Sequence, residues 1–170
     1  LHDLGNEVSG YDDSKGYKFT MEGLNARGIE IFYDAHEIDK DTIVTYSKAF
    51  SPDHKEIKRV KELGLTIKDY NEVVGDITKM FTTIGVCGTH GKTTTSAMIS
   101  CIAVESGIEP TVIIGGEVSA LNGNAYNGEG RFVVAEADES DGSFLKLNPY
   151  LALVTNIEDD HLDYYGTEEN

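Results

Sequence analysis

The sequence predicts an α/β fold built on parallel sheets, arranged as two successive parts. Three observations carry this reading. Short apolar runs alternate with helical or polar stretches along all 170 residues, the rhythm of strand–helix–strand units. In the second half the runs TIGVCG, TVIIGG, RFVVAEAD and LALVTNI are nearly unbroken, as strands covered on both faces are. The first of them enters a glycine turn that opens directly onto a helical pattern.

Taken in order, NEVSG reads as a strand running into a turn, and IEIFYD (29–34) and TIVTYS (42–47) as further strands. FTMEGLNARG, between the first two, reads as a helix ending at Gly28. After Pro52, DHKEIKRVKELG sets Ile57, Val60 and Leu63 on one helical face, with Gly64 as the stop. LTIKD resumes a strand. The composition changes across DITKMFTT, so a boundary is expected near residue 80, between a first domain of residues 1–79 and a second of residues 80–170. The helix after the glycine turn is expected over 92–106, with Met98, Ile99, Ile102 and Ala103 inward and Gly107 at its end. Cys87 and Cys101 fall on this strand and helix as buried, reduced thiols, and they do not form a CxxC pair.

Formal net charge is −16, made up of −5 over residues 1–80 and −11 over residues 81–170. Such a balance repels a phosphate backbone, so nucleic acid is not expected as a partner; a metal-chelated anion suits it better. No apolar run approaches membrane-spanning length and no secretory leader is visible, so a cytoplasmic protein without stable membrane insertion is expected. The chain opens on LHDLGNEVSGYDD without an initiating Met, and a missing amino-terminal piece is expected.

GVCGTHGKTTTSAM (85–98) contains Gly-Lys-Thr, the local mark of a phosphate loop. The familiar pattern places another Gly five positions before Gly91, and Val86 stands there. Two readings compete: a nucleotide site of a different pattern, or a glycine turn that precedes a helix. The strand–turn–helix setting favours the first. Helix-opening amides and aligned peptide dipoles attract an anion, and Gly88 and Gly91 allow dihedrals that a side chain penalises. In this reading Gly88, Thr89, His90 and Gly91 form the loop, Lys92 reaches terminal phosphates, Thr93 offers a hydroxyl to magnesium, and Thr94 assists on the phosphate side. Lys92 is also the sole basic residue between Lys79 and Arg131. Two further segments follow apolar strands and can bring oxygen or nitrogen ligands to the same sheet edge. One carries Glu136, Asp138, Glu139 and Asp141; the other carries Asn156, Asp160, His161 and Asp163. Solvated turns, with His161 capping a loop, remain the plainer alternative.

Together, GTHGKTTTSAM, AEADESDGSF and TNIEDDHLDYYG resemble, in order, the motifs of the Mur ligase family. VSGYDDS and VTYSKAF extend the resemblance over nearly the whole chain, and EADESDGSF is most similar to the family's alanine-adding member. The resemblance implies a Rossmann-like parallel-sheet amino-terminal domain for a UDP sugar, followed by the first part of a P-loop α/β ATPase domain. It implies ATP and Mg2+, with UDP-N-acetylmuramate and L-alanine as substrates joined through an acyl phosphate during peptidoglycan precursor synthesis. Carried over residue by residue, Lys92 is the phosphate-contacting lysine, while Thr93, Glu136 and His161 resemble magnesium ligands. His90 is expected near substrate or phosphate, and Asp12 and Ser47 near the sugar nucleotide. The family's uridine loop is expected before Leu1, and its carbamylated lysine and third domain after Asn170, so the chain alone is expected to be inactive. Three other functions stay open: a peptide-recycling ligase, a P-loop kinase or NTPase, and a nucleotide-sugar-binding fragment without catalysis.

Overall fold

A computed structural model describes residues 1–16, 20–47 and 50–167. Phe19 of the FTMEGLNARG stretch, Lys48 and Ala49 of VTYSKAF, and the last three residues of GTEEN lie outside the described residues. The chain divides into two compact units, Leu1–Lys68 and Asp69–Asn170.

In the first unit, β1 (Ser9–Tyr11) and β2 (Glu30–Phe32) pair in parallel, with Gly10 opposite Ile31. Parallel pairing needs a crossover, and α1 (Thr20–Ala26) lies in the connection. A second pair joins β3 (Ile43–Tyr46) to β4 (Thr66–Asp69), with α2 (Lys55–Glu62) between them in sequence. Helix α2 begins where His54 Nδ1 accepts the Glu56 amide at 3.3 Å. The opposite ring nitrogen donates to Asp13 Oδ2 at 2.8 Å, which ties the turn after β1 to this helix start. Ile57 and Val60 are buried as the periodicity requires, but Leu63 is half exposed. The helix closes at Glu62 and Gly64 turns the chain at φ 68°, so Leu63 leaves the buried face.

The second unit opens with α3 (Tyr70–Met80), which the sequence reading did not foresee. Its signal is DYNE: Asp69 accepts the Glu72 amide and Glu72 accepts the Asp69 amide, both at 2.9 Å, a reciprocal cap. Thr78 then ties three segments together. Its hydroxyl donates to the Gly75 carbonyl at 2.7 Å and accepts the Asn148 amide at 3.0 Å, while its own carbonyl accepts the Thr83 hydroxyl at 3.0 Å. The strand TIGVCG forms β5 (Thr82–Cys87), followed by α4 (Lys92–Glu105), β6 (Thr111–Val118) and β7 (Gly123–Tyr126). Then come β8 (Phe132–Glu136), β9 (Leu151–Val154) and the short α5 (Leu162–Tyr165). The sheet order is β7-β6-β8-β5-β9, parallel except for β7 against β6.

Val86, Val112, Val133 and Val134 have no exposure and form the centre of this sheet. Each such valine contributes roughly 1.5–3 kcal/mol of transfer free energy. Helix α4 buries Ala103 as expected but otherwise meets the sheet by a rotated face. Ser96, Ser100 and Ala103 are buried, whereas Met98 and Ile102 are mostly exposed. The cause is helical phase: Thr93 must face β8 at the helix mouth, and its stripe continues through Ser96, Ser100 and Ala103. Strand β9 also departs from expectation, because Leu151 and Val154 are half exposed on a strand at the sheet's edge.

Gly75 illustrates how closely α3 is held. A Cβ there would come within 2.6 Å of the Lys146 carbonyl oxygen. Ala for Gly inside a helix ordinarily gains about 1 kcal/mol. Here Gly75→Ala is expected to destabilise the chain by roughly 1–3 kcal/mol through overpacking. Urea unfolding measures the sign directly, and a raised midpoint would contradict the contact.

Candidate functional site

Strand register sets the site. Val86 lies opposite both Glu136 on β8 and Leu153 on β9, so three parallel strands end at one edge. The chain leaves β5 through α4 toward β6 on one side, and leaves β8 toward β9 on the other. Connections that leave neighbouring parallel strands in opposite directions lie on opposite faces of the sheet under the right-handed crossover rule, which opens a crevice at the strands' carboxyl ends, the usual ligand position in an open parallel sheet.

Residues 88–91 enter this crevice. Gly88 adopts φ +124°, and a Cβ on it would collide with the Thr155 hydroxyl and come within 2.7 Å of the Asn156 carbonyl. Gly91 adopts φ +81° and caps α4. The loop is held from the β9 side: the His90 amide donates to Asn156 Oδ1 at 2.9 Å, and the Thr155 hydroxyl lies 2.6 Å from the His90 carbonyl. The Thr89 hydroxyl accepts the Glu158 amide at 3.1 Å, and the exposed His90 ring lies 3.6 Å from the Glu158 carboxylate.

Two carboxylates approach from β8. The Thr93 hydroxyl donates to Glu136 Oε1 at 2.9 Å, while Glu136 Oε2 accepts the Gly115 amide at 2.8 Å. Gly116 leaves room for Thr93, since a Cβ there would stand 2.8 Å from Thr93 Cγ2. Lys92 Nζ meets Glu139 Oε1 at 2.9 Å, and both side chains are about five-sixths buried, at 16% and 15% exposure. The same ammonium donates to the carbonyls of Gly88 at 2.7 Å and Thr89 at 3.3 Å. His161 Nε2 lies 3.9 Å from Glu139 Oε1 and 3.9 Å from Asp160 Oδ2. His161 holds φ +52°, an unusual conformation for a side-chain-bearing residue, at the mouth of α5.

Lys92, Thr93, Glu136 and His161, singled out from sequence, thus gather around one crevice, with His161 linked to Lys92 through Glu139. Thr94 lies one residue further along α4 and faces a groove that it shares with Met98, Cys101 and Glu117. Asp12 and Ser47 belong to the other unit. Asp12 Oδ1 accepts the Ser14 amide at 3.0 Å just after β1, and the Ser47 carbonyl accepts the Phe50 amide at 3.0 Å after β3. Glu139 had no assigned role in the sequence reading; its signal is its position three residues beyond Glu136, past a strand end.

No group of three or more His, Cys, Asp or Glu is gathered as a metal cage among the described residues. The donor set still suits magnesium, which takes few protein ligands and completes its octahedron with phosphate and water oxygens. The adjacent Thr93 hydroxyl and Glu136 carboxylate are hard oxygen donors of that kind. Glu139 Oε2 is buried without a hydrogen-bond partner among the described residues, so the crevice also holds unused acceptor capacity. Cys87 and Cys101 are free and only partly buried, less so than their sequence positions suggested. Burial, and then the Glu139 charge, push the Cys87 thiol above its ordinary range, against a nucleophilic role. No helix among the described residues is long and apolar enough to cross a membrane.

Residues 1–82 match the description "Mur ligase family, catalytic domain", and residues 86–170 match "Mur ligase middle domain". A UDP-N-acetylmuramate–L-alanine ligase of Desulforamulus reducens is 46% identical over 170 residues, 98% of this chain and 36% of the relative. The ligase of the same name from Gloeobacter violaceus is 42% identical, covering 99% of this chain and 37% of the relative. The chain therefore spans little more than a third of the curated relatives it matches. Among solved structures, the UDP-N-acetylmuramate–alanine ligase of Thermotoga maritima superposes with a TM-score of 0.83 at 31% identity, over 98% of this chain and 39% of that one. The UDP-N-acetylmuramate:L-alanyl-gamma-D-glutamyl-meso-diaminopimelate ligase of Neisseria meningitides gives 0.80 at 26% identity, over 96% and 56%.

The raised thiol of Cys87 has a measurable sign. A higher pKa lowers the thiolate fraction at fixed pH, so alkylation by iodoacetamide at pH 8 should run slower in the folded chain than in urea. Site-resolved mass spectrometry reads the ratio, and equal rates would show an accessible, ordinary thiol.

Proposed function

The chain belongs to the Mur ligase family, and we propose from that premise that it carries the nucleotide-handling crevice of an ATP-dependent ligase joining L-alanine to the carboxylate of UDP-N-acetylmuramate, in the cytoplasmic synthesis of peptidoglycan precursors. The observation that carries the proposal is the Thr93 hydroxyl set 2.9 Å from Glu136, beside Lys92 at the mouth of a fourteen-residue helix. Residues 80–170 supply this ATP side. Residues 1–79, with Asp12 and Ser47 past their strand ends, are assigned to the sugar nucleotide.

A free carboxylate is a poor acyl donor, so the reaction proposed first converts it to an acyl phosphate with release of ADP; the alanine amine then displaces phosphate. The residues act mainly by placement and charge. The helix-opening amides of Gly91, Lys92 and Thr93 orient the phosphates, while the Thr89 and His90 amides stay on Asn156, and Lys92 offsets charge as the phosphoryl group moves. Thr93, Glu136 and His161 are the groups assigned to hold magnesium. The ion supplies neutralisation of the phosphate oxygens. No nucleophilic side chain is required, in keeping with the raised Cys87 thiol.

Relatives at 46% and 42% identity bear the name of the alanine-adding enzyme, which favours alanine as the acceptor. The Neisseria meningitides neighbour keeps a peptide acceptor as the second reading. One assay separates these and the kinase alternative: a full-length ligase containing this chain is supplied with ATP, magnesium, UDP-N-acetylmuramate and either L-alanine or a short peptide. ADP together with an alanine amide is expected; a peptide amide, or a stable phosphorylated acceptor, rejects the assignment. In the active protein, Lys92→Ala should lower single-turnover acyl-phosphate formation by about 3 kcal/mol in barrier terms, and Glu136→Gln should weaken its magnesium dependence. Unchanged rates at saturating ATP would remove both residues from the chemistry.

A further inference from the structure

Lys92 has two rivals for one ammonium. Its three N–H groups are all engaged: by the Gly88 carbonyl at 2.7 Å, by the Thr89 carbonyl at 3.3 Å and by Glu139 Oε1 at 2.9 Å. An ammonium has no fourth donor, so a direct contact with a terminal phosphate requires one of these partners to yield. The two carbonyls belong to the loop backbone, which Asn156 and Thr155 hold in place. Glu139 is the partner that can move, because rotating its side chain disturbs no backbone. Its own backbone is fixed, with the carbonyl accepting the Tyr165 hydroxyl at 2.5 Å and the Gly142 amide at 3.1 Å.

We propose that Glu139 is a gating and positioning residue: its carboxylate competes with the terminal phosphate of the nucleotide for Lys92, and handover of Lys92 from one anion to the other accompanies binding. The inference rests on the reading of the loop as an ATP site, and deepens it. The pair is largely buried, so solvent ions screen it weakly and the competition is felt in affinity. Among the described residues, no hydrogen bond other than the one to Lys92 holds the Glu139 carboxylate. Its second oxygen is buried without a partner among the described residues, and the His161 ring stands 3.9 Å from its first. Glu136 is not part of this competition, since its two oxygens are taken by Thr93 and Gly115.

The test is a double-mutant cycle on binding, read by calorimetry with magnesium and a non-hydrolysable ATP analogue, alongside thermal unfolding of each variant. Glu139→Gln is expected to bind the analogue roughly fivefold or more tightly than the unaltered protein. In a Lys92→Met background that gain should vanish, because no ammonium remains to be contested. Glu139→Asp keeps the charge and shortens the arm, and a smaller gain is expected; it stands in if the Gln variant does not fold. A gain of equal size in the Lys92→Met background would mean that Glu139 acts through general charge, and would overturn the inference. So would an unaltered protein that binds while neither Glu139 variant binds more tightly. An unaltered protein that does not bind the analogue at all would reject the ATP reading itself, and the inference with it.

Discussion

The register of three parallel strands is the constraint from which the crevice follows. With Val86 set opposite Glu136 on one side and Leu153 on the other, the loops after β5, β8 and β9 begin at the same height. A slip of one residue in β8 would turn Glu136 to the opposite face of the sheet and withdraw it from Thr93. Val133, Val134 and Ala135 are all fully buried, and such a slip is opposed because it can draw the Glu136 carboxylate into the buried position of Ala135. The chemistry at the sheet edge is therefore specified by apolar residues that carry none of it.

Charge is arranged within that frame with little redundancy. The second half of the chain has a net charge of −11, yet the crevice holds its single lysine against two carboxylates with separate duties. Glu136 is bound to a hydroxyl and an amide, and Glu139 to the ammonium. The division follows from backbone geometry: Glu136 is the last residue of β8, and Glu139 stands in the turn beyond it. An acidic domain can carry a site of the proposed kind because one of its few cations, Lys92, stands at a helix mouth, where aligned peptide dipoles add to it.

Much of this could be read from the sequence, for identifiable reasons. GTHGKTTT announces a strand–turn–helix site through residue types that few other local structures require, and the apolar runs gave β5, β6, β8 and β9 directly. What escaped had a weak apolar signature or depended on contacts distant in sequence. Helix α3 has a mixed surface, and its start lies in a cap pairing Asp69 with Glu72. Strand β7 is the short polar run Gly123–Tyr126, antiparallel to its neighbour and without an apolar signature. The inward face of α4 was misjudged because hydrophobicity favoured Met98 and Ile102, whereas the phase imposed by Thr93 selected Ser96 and Ser100. Glu139 is one acid among several in its segment, and only proximity to Lys92 singles it out.

The fastening of residues 88–91 to Thr155 and Asn156 bears on how quickly such a crevice can capture an anion. A glycine-rich segment left loose would have to lose conformational entropy at the moment of encounter. Here both polar groups of the His90 backbone are secured by the neighbouring strand's continuation, so that cost is met when the chain folds. An anion reaching this loop would meet a backbone already set by Asn156 and Thr155, and only side chains would have to turn.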